Sequence, residues 1–119
     1  MTAPTDTTYN GWPNYETWRV NLEAFDGLSV ADITGTDHLA DFLSLYASSP
    51  VAEMALAEMM REQVESLIED TTTGGIARDY ALAFLRKVDW HSISTQKIVE
   101  EMANVMYEAE LADKLAESR

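Results

Sequence analysis

Glu58, Glu62, Glu65 and Glu69 recur at intervals of four, three and four, so any helix that carries them presents four carboxylates on one side. Glu58/Glu62 and Glu65/Glu69 are like-charge pairs one turn apart, which weaken a helix slightly, and only Arg61 lies near the row. Such a row does electrostatic rather than covalent chemistry. Carboxylates one turn apart sit about 5–6 Å from each other along the axis. Successive phosphates of a nucleic-acid strand are about 3.4 Å apart in axial projection and farther through space. The row can therefore occupy a lysine- and arginine-lined groove and release its counterions as DNA or RNA would. The competing reading is a solvated helix face, which explains the polarity but not the scarcity of compensating lysines. Glu101, Glu108, Glu110 and Asp113, with Glu117, repeat the theme more loosely and form a secondary acidic surface moderated by Lys97 and Lys114.

Covalent and metal chemistry have fewer candidates. The two histidines are His38 and His91. Asp37, His38 and Asp41 put carboxylates beside one imidazole within a helical turn, but a solvated helix start has the same composition. His91 reads as a capping or surface group in a corner. The chain has no Glu-x-x-His pair, no His-Glu-x-x-His helix and no Asp-x-Asp-x-Asp-Gly calcium loop. Gly74-Gly75 lacks the Gly-Lys-Ser/Thr of a phosphate loop, and no serine stands in a Gly-x-Ser-x-Gly elbow. No catalytic residue, metal ligand or cofactor is expected.

Helices must position these residues. Asn14 is suited to cap a first helix, with Glu16 in the first turn and Tyr15, Trp18, Leu22 and Phe25 as its apolar stripe up to Asp26-Gly27. Residues 28–35 read either as one helical turn capped by Ser29 or as an extended segment. A second helix is expected from Asp37 behind a Thr36 cap, with Leu39, Phe42, Leu43 and Tyr46 on one face. Ser49-Pro50 opens a third that runs to about Asp70, with Leu56, Met60, Val64 and Leu67 as its stripe and Met59 and Ile68 beside it. A fourth, from about Ile76 to Val88, is expected to bury Ile76, Tyr80, Ala83 and Phe84, with Leu85 beside them. Asp89-Trp90-His91-Ser92 reads as a corner with Trp90 plugging the core. The last helix is expected from Ser94 or Thr95 almost to the end, its stripe Ile98, Met102, Val105 and Ala109 flanked by Met106 and Ala112. The methionines on these faces suit adaptable packing, or in the other reading a promiscuous groove. The expected fold is all-α, about five helices around one core.

The bulk numbers agree with that class. At 119 residues and 46% hydrophobic content the chain can bury a real core as one domain. Residues 1–8 read as a flexible lead-in and 9–119 as the helical domain. No cysteine is present, which excludes disulfides and thiol chemistry. No apolar run is long enough to span a membrane, and the N-terminus lacks the features of a signal peptide. A cytoplasmic location is expected. Twenty-one acidic residues against eight basic ones give a net charge of −13. Such a surface repels nucleic acid and anionic membranes and attracts basic proteins; the plainer reading is solubility, or a host with an acidic proteome.

One stretch stands apart, Tyr9 through Trp18, with four aromatic residues around the first helix start. Asn10-Gly11 is a turn dipeptide, Trp12 can pack back on the first turn, and Trp18 points inward, all of which read as architecture. In the other reading, Tyr9 and Trp12 are exposed aromatic anchors for a partner. Asn10-Gly11-Trp12-Pro13-Asn14-Tyr15-Glu16-Thr17-Trp18 resembles the Asn-Gly-Trp-x-Asn-Tyr-Glu-Thr-Trp box of small uncharacterised proteins carried by phages, plasmids and other mobile elements. Val20 and Leu22 look like its apolar continuation, whereas Arg19 departs from the small polar residue expected there. Asp89-Trp90 followed by Ile93 is similar to a later helix start in such proteins.

The resemblance implies a mobile-element origin. Small acidic proteins of that class often block host restriction enzymes or CRISPR effector complexes. The expectation is a non-enzymatic inhibitor, anti-CRISPR or anti-restriction, that binds a basic nucleic-acid-handling host protein, binds no nucleic acid itself, and is a monomer or homodimer. The alternative is a regulatory or assembly module of the element that acts through apolar contacts. A carboxylate- or metal-dependent enzyme using His38 or Asp41 ranks behind both.

Overall fold

Asn14 begins the ordered helical chain in the computed structural model, which describes residues 8–118. Except for Thr8, the lead-in expected over residues 1–8 lies outside the described residues. Asn14 is extended and its Oδ1 accepts from the Thr17 amide at 2.9 Å, satisfying a donor that the first helical turn leaves orphaned. The helix α1 (Tyr15–Val20) runs directly into a π-helical turn (Asn21–Phe25). That wider turn alters the expected stripe. Each residue in it lags behind α-helical rotation, which carries Phe25 onto the face already occupied by Thr17 and Val20. Those three are buried, whereas Tyr15 and Leu22 are exposed.

Residues 28–35 resolve in favour of the helical turn. Ser29 and Asp32 form a reciprocal capping box at the start of α2 (Val30–Thr34), with the Ser29 amide on Asp32 Oδ2 at 2.9 Å and the Asp32 amide on Ser29 Oγ at 3.0 Å. Gly35, at φ 80°, closes α2 in the left-handed region. The next helix, α3 (Leu39–Leu43), is shorter than the expected span. Its cap is His38, whose amide donates to Asp41 Oδ2 at 3.1 Å, rather than Thr36, whose hydroxyl pairs with that of Thr34. At its far end the Leu45 and Tyr46 amides bond three residues back, so the chain tightens into turns.

The two long helices are α4 (Ser49–Thr71) and α6 (Trp90–Glu117), separated by α5 (Ile76–Leu85). Ser48, one residue before the expected cap, precedes α4 with Pro50 in its first turn. No basic residue occupies the last turn of α4; Arg78 of α5 serves there instead, its Nη2 donating to the Glu69 carbonyl at 2.8 Å. The last helix starts at Trp90, ahead of the expected Ser94 or Thr95. Asp89 accepts from the Ser92 amide at 3.1 Å, so the expected corner is the first turn of α6.

α4 packs most extensively against α6, and their direction is antiparallel. Ser94 Oγ donates to the Glu53 carbonyl at 2.5 Å, His91 lies 3.6 Å from Glu53, and Trp90 shares a depression with Ala57 and Arg61. Phe25, Val30, Phe42, Leu56, Met60, Ile93 and Ile98 form the centre of the core, with Val64, Ile68, Phe84 and Trp90 packed against it. The fold is therefore all-α, with α2 as the sixth helix, and no strand is formed among the described residues beyond the Tyr9–Trp12 bridge.

Several residues expected in the core are not there. Leu67 is exposed, as are Ile76 and Tyr80 at 67% and 70%. Ten residues of α5 bring only one line of side chains to the core, and Leu85 with Leu82 and Phe84 supplies it. The last helix departs further. Ile98 is the final fully buried residue of α6, and Met102, Val105, Met106, Ala109 and Ala112 all lie on the surface.

Candidate interaction surfaces

The row Glu58, Glu62, Glu65 and Glu69 does lie along one side of α4, with Glu65 half-buried and the others exposed. Arg61 is more than a neighbour. It is ion-paired to Glu58, and its Nη1 reaches both Glu65 oxygens at 3.2 and 3.1 Å. Contact with Glu58, then with Glu65, holds the guanidinium above its ordinary pKa. One arginine thus serves two of the four carboxylates. Glu62 and Glu69 have no ion pair among the described residues; Glu62 borders a shallow open depression with Met59, Gln63, Leu67 and Asp70.

The secondary acidic surface divides. Glu101 is half-buried, and its carboxylate accepts from the Val30 amide at 2.8 Å, satisfying an orphan donor at the start of α2. It ties α2 to α6. Sequence reasoning missed this role, because the contact joins positions 71 residues apart. Glu108, Glu110 and Asp113 are exposed on the second half of α6. Glu108, Asp37, His38 and Glu101 border a groove of about 580 Å³ between that half and the start of α3, with Leu39 and Val105 on its apolar side. Asp41 caps α3 as described, and among the described residues no group of three or more His, Asp or Glu side chains is placed to hold a metal ion.

Tyr9 and Trp12 close a tight turn through two backbone bonds of 2.8 Å, with Asn10 and Gly11 at φ 47° and 85°. Both central residues are left-handed, which an Asn-Gly pair tolerates. The Tyr9 ring, 40% exposed, lies 5.2 Å from Tyr15 and 4.8 Å from Trp18, and Trp12 packs partly against the core. Asn14 and Thr17 carry a further role in this box. Asn14 Nδ2 donates to the Lys87 carbonyl at 2.7 Å, while the fully buried Thr17 hydroxyl donates to Asn14 Oδ1 and accepts from the Asp89 amide at 2.9 Å. Two small polar side chains thereby fasten α1 to the corner between α5 and α6.

The second half of α6 carries seven of the large hydrophobic side chains that stand exposed among the described residues. From Val99 to Glu117 only Glu101 is even half-buried, and Val105, Met106 and Leu115 are 57%, 64% and 58% exposed. The register of the two long helices accounts for this. Glu53 lies level with Ser94, so Ser49, four residues back along α4, lies level with about residue 98 of α6. Beyond that point α6 has outrun its partner. About 28 Å of helix projects, and the radius of gyration, 17.8 Å, exceeds the roughly 13–14 Å of a compact chain this long.

No family model matches the chain, and neither a curated protein nor a solved structure does. Among the described residues no helix is long and apolar enough to cross a membrane.

Proposed function

We propose that the protein is a non-enzymatic acidic inhibitor of a nucleic-acid-handling host defence protein, of the anti-CRISPR or anti-restriction kind, that works in the cytoplasm by occupying the partner's basic groove. The observation that carries this reading is the glutamate row on α4, set on a chain of net charge −13. Glu58 and Glu69 are eleven helical steps apart, about 16 Å of axis, roughly the axial length of five nucleotides of one strand. The resemblance of Asn10–Trp18 to a box of mobile-element proteins supports this setting, since inhibitors of host defence travel on such elements.

The test is inhibition of DNA cleavage by purified restriction endonucleases and CRISPR effector complexes, with the protein titrated against DNA. Inhibition should be relieved by excess DNA and should weaken markedly between about 50 and 200 mM salt. Glu62→Lys with Glu69→Lys should reduce it strongly while the helical circular dichroism stays the same, because neither side chain holds an ion pair among the described residues. Full inhibition by that double variant would remove the row from the mechanism.

A second reading, the regulatory or assembly module of a mobile element, is favoured by the bare apolar side of α6. It requires binding that hardly changes with salt, which separates it from mimicry.

A further inference from the structure

We infer that the projecting half of α6, together with the groove beside it, is a docking surface for a basic amphipathic helix of a partner protein. The placement stands on different residues from the glutamate row and holds whether or not the partner handles nucleic acid.

Three observations converge. The first is an apolar line without a cover. Met102, Val105 and Ala109 continue the face on which Ile98 enters the core, and Met106 widens it. Most helical stability in proteins comes from packing of an amphipathic face, so this bare continuation of α6 would gain from something lying against it. The second is shape: the groove between α6 and the start of α3 gives a channel alongside that line, bounded by Leu39 and Val105. Methionines suit such a surface because their side chains adapt to varied apolar partners.

The third observation selects the occupant. Residues 99–117 carry six carboxylates, Glu100, Glu101, Glu108, Glu110, Asp113 and Glu117, against Lys114 alone, a net charge of −5. A second copy of the chain would bring another −5 against it, in a molecule that already carries −13. An acidic or neutral helix gains nothing from this rim. A helix with leucine-like residues on one face and lysines or arginines along its edges complements both the line and the rim. Its cations reach Glu108 and Asp37, whereas Glu101 remains engaged with the Val30 amide.

The probe is a fluorescent synthetic helix of leucine and lysine, with a version carrying glutamate in place of lysine as control, titrated against the full chain. The lysine peptide should bind and the glutamate peptide should not. Met102→Ser with Val105→Ser leaves the net charge unchanged and touches no core residue; it should weaken binding about tenfold or more. Glu108→Gln should weaken it by about threefold, and Glu62→Gln with Glu69→Gln should leave it within about twofold. Amide hydrogen exchange over residues 99–117 should slow on binding. Equal affinity for the Met102→Ser, Val105→Ser variant, or equal binding of the glutamate peptide, would overturn the assignment. So would a dimer in sedimentation that the same double variant abolishes, which would give the face to a second copy.

Discussion

The two ends of the domain treat their side chains in opposite ways. In the box around α1 almost every group is spent internally: Asn14 caps α1 and reaches Lys87, Thr17 joins Asn14 to Asp89, and the Tyr9, Tyr15 and Trp18 rings lie against one another. In the second half of α6 almost nothing is. Val99, Met106, Leu111 and Leu115 face outward, and among the described residues Glu101 alone makes a side-chain hydrogen bond to another element. A dense aromatic cluster in a sequence invites a binding role, and a regular heptad-like stripe invites a core role. Here the cluster is the fastening and the continuation of the stripe is the open surface. What decides is whether another element lies opposite, and residue type does not record that.

Truncation should expose this contrast most strongly. Leu56→Ala, at a fully buried position, should cost about 2–5 kcal/mol in urea unfolding, whereas Met106→Ala should stay within about 0.5 kcal/mol. Comparable losses at both would mean that the end of α6 is packed after all. Next in size, Thr17→Val keeps the volume but leaves the Asp89 amide without its acceptor and removes one of the donors to Asn14 Oδ1, and should cost about 1–3 kcal/mol. Asn14→Ala removes a cap and the Lys87 contact together and should cost about 1–2 kcal/mol. Ala109→Gly should loosen the projecting helix by about 1 kcal/mol, seen as faster amide exchange beyond residue 98 with no change in Tm.

The smallest effect is electrostatic. The Ser29 backbone amide, and then its hydroxyl, hold the exposed Asp32 carboxyl below the usual carboxylate range. Because its folded pKa is depressed, its contribution is complete above the ordinary carboxylate range and is lost as pH falls through the lowered value. Asp32→Asn should therefore lower stability slightly at neutral pH, leave the acid extreme nearly unchanged, and so flatten the acid limb of the profile. A steeper acid limb in the variant would contradict the capping role.

The local grammar of helix starts was legible in the chain itself. Asn14 and Pro50 each announce a terminus through chemistry confined to a few residues, whereas Ser29 leaves a helical turn and an extended segment open, and the caps at His38 and Asp89 fall behind and ahead of the expected ones. The all-α class follows from apolar periodicity that never settles to two. The alignment of Glu58, Glu62, Glu65 and Glu69 was equally readable, because helical geometry alone places them. Arg61's engagement with both Glu58 and Glu65 was visible only as proximity, since rotamers decide which carboxylates it meets. The π-turn that carries Phe25 inward, the reach of Glu101 to Val30 and the bond from Thr17 to Asp89 had no local signal. The extent of the core on α6 had none either. Periodicity marks Met102, Val105 and Ala109 just as it marks Ile98, and only the antiparallel register set by Glu53 and Ser94 determines that α4 stops short of them. Sequence by itself determined which faces are apolar; the offset between two helices decided which of those faces the core could cover.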